Sequence, residues 1–370
     1  MTEYAIVMLD HGARSVGSIS PYSFSVALKE NTVGALVMKT MDDLWIDQLP
    51  RDTMFEVHRK PHSGEWGILG NTRFFLRNAT YIHDSNKGRW ELSCESALGI
   101  LARRIVAYKR TTTYADKTAL FGNDGTADDL IKAYVRENFG SLATDTDRDL
   151  SAHITIDADA TLAVAVEKEA AYLNVLSVIF DLANDSANQG TPVYVDIINY
   201  GTGFRFLTSV NALGMDRTSG SSAITFSPSL NNITDVKLEV DYSTEANYCY
   251  VGGEGQDAAR LIEEVEDADG VAKSPYNRIE VFHDARELGV SSVLQGEGRA
   301  RLESMTPKLR VSGKAVDMPS YRFGKDYDYG DIVNASVRGR EFSCHVNSVS
   351  IDVTNGQENL DVRLIGEENL

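Results

Sequence analysis

Cysteine is scarce in this sequence, with three residues among 370. Cys94, Cys249 and Cys344 lie far apart, and each falls within an alternating, strand-like pattern. Their odd number and wide spacing argue against a disulfide framework, and no two have the spacing of metal ligands. We therefore expect buried thiols in a protein made in a reducing cytoplasm.

Long apolar runs are also lacking. None approaches the ~18 residues that a membrane-spanning helix requires, and residues 5–9 are too few and have no basic flank to be a signal peptide. We expect no membrane insertion by this chain. With 42% hydrophobic and 24% charged residues, the composition is that of a folded soluble protein. The length predicts about two to four subdomains.

Basic residues are fewer than acidic ones, 36 Lys and Arg against 54 Asp and Glu, which gives a net charge of −18. Such a charge repels phosphates, so stable binding of nucleic acid is not expected. Two interpretations of the charge remain open. The acidic excess keeps the protein soluble, or it forms the wall of a channel along which DNA slides without binding.

Signatures of catalysis are missing as well. The sequence contains no Gly-x-Ser-x-Gly elbow, no His-Glu-x-x-His motif and no cysteine with a convincing histidine partner. A pair of glycosidase carboxylates stays open, because such pairs form in space and the chain has many acids. We expect that the protein is not an enzyme. We predict no catalytic, cofactor-binding or metal-ligating residue, and no cofactor.

One cluster has the look of a metal site. His58 and His62 are four residues apart, and Glu65 lies close behind. Pro61 and Gly64 indicate a hairpin loop, so the ligand spacing of a helix does not apply, and no third nitrogen or sulfur ligand is near in sequence. We do not predict metal binding at this loop.

A second cluster, Asp326, Asp328 and Asp331, has spacing that suits calcium. A calcium loop of the EF-hand type needs a glycine at its sixth position, a bidentate glutamate at its twelfth and flanking helices. Here a strand pattern follows instead. We interpret the three aspartates as a structural turn before a strand.

The last fifty residues have the clearest secondary-structure pattern. Apolar and polar residues alternate around a turn at Asn355-Gly356, which predicts an antiparallel meander with one apolar face. The parity of the alternation changes after Val346, and a β-bulge near Asn347 and Ser348 explains the change. The residues predicted to face one interior across this bulge are Phe342, Cys344, Val346, Val349, Ile351 and Val353.

The patterns along the chain predict a mainly β protein with α/β insertions, built from two small antiparallel β-barrel domains and α/β subdomains. Residues 1–110 are predicted as a first β-barrel with a plugging helix, and residues 111–190 as an α/β insertion. Residues 191–310 are predicted as a strand-rich middle domain that contributes to the second barrel. Residues 311–370 complete that barrel as its C-terminal β-meander.

The plugging helix is predicted to begin near Ser96. Leu98, Leu101, Ala102 and Ile105 fall at positions i, i+3, i+4 and i+7, which is one apolar stripe of an α-helix. We expect this stripe to close one end of the first barrel.

Three segments resemble one protein family. They are residues 326–333 (DYDYGDIV) with the meander that follows, residues 90–108 with their paired arginines, and residues 277–286 (NRIEVFHDAR). Together they are similar to the siphophage tail-tip hub proteins, which in turn are similar to the baseplate hub of phages with contractile tails.

The resemblance implies a structural tail hub of a tailed phage or phage-tail-like particle, which joins the tail tube to the tip or spike and lines the channel for DNA. It implies a location in the virion, at the tail tip or baseplate, and synthesis in the cytoplasm of the bacterial host. It implies a homotrimer in which six barrels form a pseudo-sixfold ring. It also implies partners: the tail tube or distal tail protein, spike or fibre proteins of the tip, and the tape-measure protein. DNA is expected to pass through without stable binding. The alternatives are a tail-associated enzyme that degrades the cell wall and a tail component that binds host glycans.

Overall fold

Short strands with alternating apolar side chains form most of this protein. The computed structural model describes residues 2–41, 49–62, 64–84, 87–110, 113–115 and 124–369. The strands up to residue 115 are β1 (Glu3–Leu9), β2 (Ser15–Ile19), β3 (Ser23–Lys29), β4 (Ala35–Thr40), β5 (Met54–Lys60), β6 (Gly67–Ile68), β7 (Phe74–Asp84), β8 (Lys87–Ser96), β9 (Tyr108–Arg110) and β10 (Thr113–Ala115). A 3-10 helix, Ala97–Arg103, directly follows β8.

A mixed α/β unit comes next. Its elements are β11 (Asp124–Thr126), α1 (Ala127–Phe139), β12 (Ile154–Ile156), β13 (Ala165–Glu167), α2 (Val175–Asn188), β14 (Val193–Tyr200) and β15 (Gly203–Val210). α2 begins where the Asn174 side chain accepts hydrogen bonds from the Leu176 and Ser177 amides, which lack partners within the helix.

The C-terminal part returns to strands. It contains β16 (Thr225–Phe226), β17 (Ile233–Asp241), β18 (Tyr248–Gly252), β19 (Ile262–Glu266), α3 (Ala268–Ala272), β20 (Glu280–Asp284), α4 (Ser291–Ser304), β21 (Lys308–Ala315), β22 (Ile332–Val337), β23 (Arg340–Thr354) and β24 (Gln357–Asn369). No helix in the described part of the chain is long and apolar enough to span a membrane.

One sheet of 14 strands connects the two ends of the chain, in the order β17-β21-β24-β23-β3-β4-β8-β7-β5-β1-β2. β22 pairs with β23, β16 with β22, and β6 with β5. Strands from both halves of this sheet contribute to one apolar core. The predicted fold class, mainly β with α/β insertions, is confirmed, although the order of the described strands does not close into barrels within one chain.

The predicted β-bulge is present. The pairing of β23 with β24 shifts register between Val346 and Ser348, so Asn347 is the extra residue. Because of this shift, the apolar residues on both sides of the bulge point into the same core. The buried residues are Phe342, Cys344, Val346, Val349, Ile351 and Val353.

The predicted α-helix near Ser96 is wrong in type. Residues 97–103 form a 3-10 helix, in which side chains three apart stack above each other, and Leu98 and Leu101 are buried. Ile105 lies beyond the end of this helix and is 47% exposed. The buried side chains pack against α1 and α2 in a second core. They lie between the sheet and the α/β unit.

The second core also includes a hairpin that the sequence patterns assign to the middle domain. β14 pairs with β15, and β15 pairs in parallel with β12. The core side chains of this hairpin pack with α1 and α2; they include Val193, Val195, Ile197 and Phe206. The predicted boundary at residue 190 therefore falls between α2 and strands that share its core.

A third, small unit lies between β17 and β21. β18 pairs with β19 and β20 in a separate sheet, and α4 covers one face of this sheet through Leu294 and Leu302. The acidic run of residues 263–269 includes most of β19. Gly298 is part of α4, where an added Cβ atom would lie 2.6 Å from a methyl carbon of Val265, so only glycine allows this close packing.

Candidate functional site

Two hairpins of the large sheet repeat each other pair by pair. In β7–β8, Leu76 pairs with Cys94, and in β23–β24, Val346 pairs with Leu364. Both members of the second pair lie 270 positions after those of the first, 346 less 76 and 364 less 94. In both hairpins the register shifts by one residue directly after this pair. The bulge and the register are thus duplicated, although the side chains differ.

The neighbouring strands extend this repeat to five strands. β5 lies beside β7 as β22 lies beside β23, and β4 lies beside β8 as β21 lies beside β24. β3 and β17 follow on the far sides of β4 and β21. The counterparts also occur in the same order along the chain. We call β3, β4, β5, β7 and β8 the N-terminal unit, and β17, β21, β22, β23 and β24 the C-terminal unit.

One pairing of strands joins the two units. The second half of β23 pairs with β3, from Ser348 opposite Lys29 to Thr354 opposite Ser23. The core-facing residues at this junction are buried, with Val349 opposite Leu28 as one example. The junction makes the two units parts of one continuous sheet.

A buried ion pair also crosses between the units. The Arg59 side chain on β5 is 3% exposed, and its Nη2 atom lies 3.0 Å from Oε1 of Glu358 on β24. Arg59 Nη1 donates to the Phe323 carbonyl at 2.7 Å, and the Tyr4 hydroxyl donates to Glu358. Burial, together with this bond to Glu358, raises the pKa of Tyr4. We call these four residues the interunit clamp.

The bulge itself takes part in the junction. Asn347 donates from Nδ2 to Oε2 of Glu30 at 3.1 Å, and Nδ1 of His345 lies 3.3 Å from Oε1 of the same carboxylate. The Glu30 amide donates to the Asn347 carbonyl at 3.1 Å. Glu30 is 6% exposed, so these contacts satisfy a buried acid. The extra residue of β23 therefore anchors the loop that follows β3.

The solvent face of the sheet carries both signs of charge. On β3, β4, β8, β17, β21, β24 and the second half of β23, the pairing places nine basic and seven acidic side chains on the side away from the core. They are Lys29, Lys39, Lys87, Arg89, Lys237, Lys308, Arg310, Lys314 and Arg363, with Glu91, Glu95, Glu239, Asp241, Asp352, Asp361 and Glu367. Many are paired across strands, as Arg310 is with Glu367 at 2.6 Å and Lys314 with Asp361 at 3.3 Å. This face is not acidic, unlike the chain as a whole.

The histidine cluster does not come together as a metal site. Nε2 of His58 lies 3.1 Å from Oε2 of Glu56, and the other oxygen of Glu56 accepts from Arg73 at 2.8 Å. The carbonyl of His62 accepts a hydrogen bond from Arg322. In the described part of the chain, no group of three His, Cys, Asp or Glu residues is arranged to hold a metal ion.

Carboxylates of the aspartate cluster accept hydrogen bonds from backbone amides. Asp331 is 3% exposed and accepts hydrogen bonds from the Met215 amide at 2.7 Å, the Asp328 amide at 2.9 Å and the Arg217 guanidinium at 2.5 Å. Asp326 instead accepts from the Arg322 amide at 2.8 Å. Because these carboxylates bind different groups, the interpretation as a structural turn agrees with the contacts.

A comparison with protein families identifies the family of this chain. The family described as Siphovirus ReqiPepy6 Gp37-like protein matches residues 74–365, which span both repeated hairpins. This chain belongs to that family. A comparison with curated proteins finds no significant match.

Solved structures agree with the family. The chain is 9% identical to the 43 kDa tail protein of prophage MuSo2 from Shewanella oneidensis, with a TM-score of 0.56 over 97% of this chain and 98% of that one. It is 12% identical to the prophage tail protein gp18 from Listeria monocytogenes, with a TM-score of 0.53 over 98% and 94% of the two chains. A chain of the Francisella PdpA-VgrG complex is 11% identical, with a TM-score of 0.53 over 99% of this chain and 53% of that one. The resemblance to phage tail proteins is confirmed in family and fold.

Proposed function

We propose that this chain is the structural hub of a phage tail, three copies of which form a pseudo-sixfold ring between the tail tube and the tip or spike. The observation that carries the proposal is the duplicated five-strand unit, which repeats with one register along the chain. Three copies of a chain with two similar units present six similar surfaces to a sixfold tube and three to a threefold tip. The role is mechanical, and we propose no enzymatic step.

The proposed partners follow from this position. They are the tail tube or distal tail protein on the sixfold side, the spike or fibre proteins on the threefold side, and the tape-measure protein in the channel. The family membership and the shared fold with tail proteins support a location in the virion tail.

We further propose that the solvent face of the sheet lines the channel. Its acidic and basic side chains form cross-strand pairs, so few cations are left free to hold phosphates. DNA then passes without stable binding because the wall is balanced in charge. The acidic excess of the chain, −18 overall, belongs to other surfaces under this proposal.

Electron microscopy of the assembled tail is the decisive experiment. We expect three copies of this chain in a ring at the end of the tube, with both five-strand units around the channel. A ring of six copies, or a position on the fibres away from the tube, would contradict the proposal. For the channel, fluorescence anisotropy at ~0.15 M salt should detect no binding of DNA by the isolated chain. A micromolar complex would refute the balanced wall.

A further inference from the structure

Two of the open strand edges of the large sheet belong to the repeated units, and neither has a neighbour among the described strands. On the side away from β8, β7 pairs with β5 only at Phe74 and Phe75, which leaves residues 78–83 open. β17, at the end of the sheet order, pairs with β21 alone. Edges with unpaired N–H and C=O groups are templates for pairing with another chain.

The internal repeat indicates what these edges meet. Residues 348–354 of β23 pair with β3 at the junction of the two units. Their counterparts, 270 positions earlier, are residues 78–84 of β7. The counterpart of β3 is β17. The pairing of β7 with β17 would correspond to that of β23 with β3, but it does not form within the described chain. Both edges needed for it are open.

We infer that β7 of one copy pairs antiparallel with β17 of the next copy, in the register of the β23–β3 junction. β4 pairs with Cys94 through Leu36, and β21 pairs with Leu364 through Gly313, so Ala35 corresponds to Ser312. Their partners Ala27 and Lys237 are therefore counterparts, and so are the next residues, Leu28 and Leu238. Because Val349 lies opposite Leu28 in the junction, Ala79 lies opposite Leu238 in the intermolecular pairing. The next pair along the strands is Thr80 opposite Lys237. We call this contact the ring seam. It rests on the proposed function, since it specifies how copies of the hub join.

Backbone N–H and C=O groups of β7 are available for hydrogen bonds at this seam. The Glu30 amide bonds to the Asn347 carbonyl at 3.1 Å, and such pairs recur at every second residue of an antiparallel ladder. Residues 349, 351 and 353 of β23 therefore bond to β3. Their counterparts 79, 81 and 83 direct their backbone groups to the open edge, whereas Thr80 falls at a non-hydrogen-bonded position.

Exposed apolar side chains lie along both edges, on the core side of the sheet. Tyr81 on β7 is 53% exposed, and on β17 Leu238 is 36% and Val240 47% exposed. The seam covers these side chains, as the junction covers Val349 and Leu28. Burial of such side chains contributes roughly 25 cal/mol per Å² of apolar area removed from water.

The seam joins different edges of the two copies, so each copy has one edge left for the next. A contact of this kind produces either a closed ring or an open filament. β17 carries a register shift between Thr234 and Lys237, with Asp235 at a φ of 51°. A bulged strand pairs in fewer registers than a flat one, which favours one defined seam over indiscriminate edge pairing.

Disulfide crosslinking in the assembled tail tests the seam. The double variant Thr80→Cys/Lys237→Cys places two thiols at a non-hydrogen-bonded pair, where Cα atoms are about 4.5 Å apart and a disulfide fits. The matched control Thr80→Cys/Asp241→Cys moves one thiol four residues along the same face, about 13 Å away. Both positions of each variant lie on strand edges or their solvent face, and the native Cys94, Cys249 and Cys344 are buried.

After mild oxidation and denaturation without reductant, we expect the first variant to run as a covalent closed trimer and the control to run as a monomer. Electron microscopy of the same particles gives the number of copies independently. Three copies in a ring without a crosslink would overturn the seam and leave the proposed hub intact. A crosslinked closed hexamer would support the seam and overturn the trimer. Equal crosslinking of test and control would overturn the seam, because it would indicate contact without register.

Discussion

The interunit clamp gives a quantitative test of what holds the two units together. Glu358→Ala leaves the Arg59 guanidinium, 3% exposed, with only the Phe323 carbonyl and the Tyr4 hydroxyl as partners. Removal of one partner of a buried ion pair costs about 3–5 kcal/mol, because the other charge stays desolvated. The Glu358 side chain is 16% exposed, so water reaches one end of the clamp. We therefore expect a loss near the lower limit, about 3 kcal/mol.

A neighbouring ion pair, between β5 and β1, provides the control. Lys60 and Glu3 lie 3.4 Å apart, but their side chains are 36% and 59% exposed, so Glu3→Ala should cost less than ~1 kcal/mol. Urea unfolding of the full chain, followed by circular dichroism, measures both losses. Adding Arg59→Met to Glu358→Ala removes the stranded charge, and we expect it to restore much of the stability. Equal losses for Glu358→Ala and Glu3→Ala would refute this account of the clamp.

Three other predictions concern the core, a partly buried acid and the sheet face. Cys344→Asp puts an unpaired charge at a position that is 1% exposed, so it should lower the melting temperature strongly. Ser343→Asp, at the next residue on the exposed side of the strand, should not. Similar melting temperatures of the two variants would contradict the assigned faces. Burial raises the pKa of Asp196 from 3.8 to about 6, so the ionised carboxyl destabilises the fold and stability is lost as pH rises from about 4 to 6. Asp196→Asn should remove that loss, and a variant that is less stable than the parent at pH 7 would argue against it. The double variant Glu91→Gln/Asp361→Asn removes the acidic partners of basic side chains on the solvent face. It should produce DNA binding at ~0.15 M salt in an anisotropy titration. If the variant still binds no DNA, the ion pairs on this face are not what prevents DNA binding.

The sequence was sufficient to predict the C-terminal meander and its bulge. Strand residues of one parity are buried and those of the other parity are exposed, so a change of parity after Val346 has only a few structural causes. The family could also be recognised from short segments such as residues 326–333, where a backbone turn and a buried aspartate require particular residue types. Asp331, which binds two amides and a guanidinium, is such a residue.

Features that depend on long-range packing could not be predicted from local sequence patterns. The stripe from Leu98 to Ile105 suits an α-helix as a pattern, but three-residue turns let Leu98 and Leu101 stack together in the second core. The repeat of the two units is also hidden, since Leu76 and Cys94 correspond to Val346 and Leu364, which share burial but not identity. Pairing register, which the sequence does not display, is what the two units have in common.

The connection between the first two strands differs strongly between the two units, and this difference bears on the symmetry of the ring. β3 and β4 are connected by residues 30–34, whereas their counterparts β17 and β21 are connected by residues 242–307, which hold the small unit with its own core. Insertion at a tip is cheap, because the paired strands keep the ends together and the entropy of closing a loop grows only with the logarithm of its length. In the proposed ring, short and long tips alternate. The strands then repeat six times around the channel, whereas the inserted units repeat three times, so one chain presents sixfold contacts on its sheet and threefold contacts on its insertions.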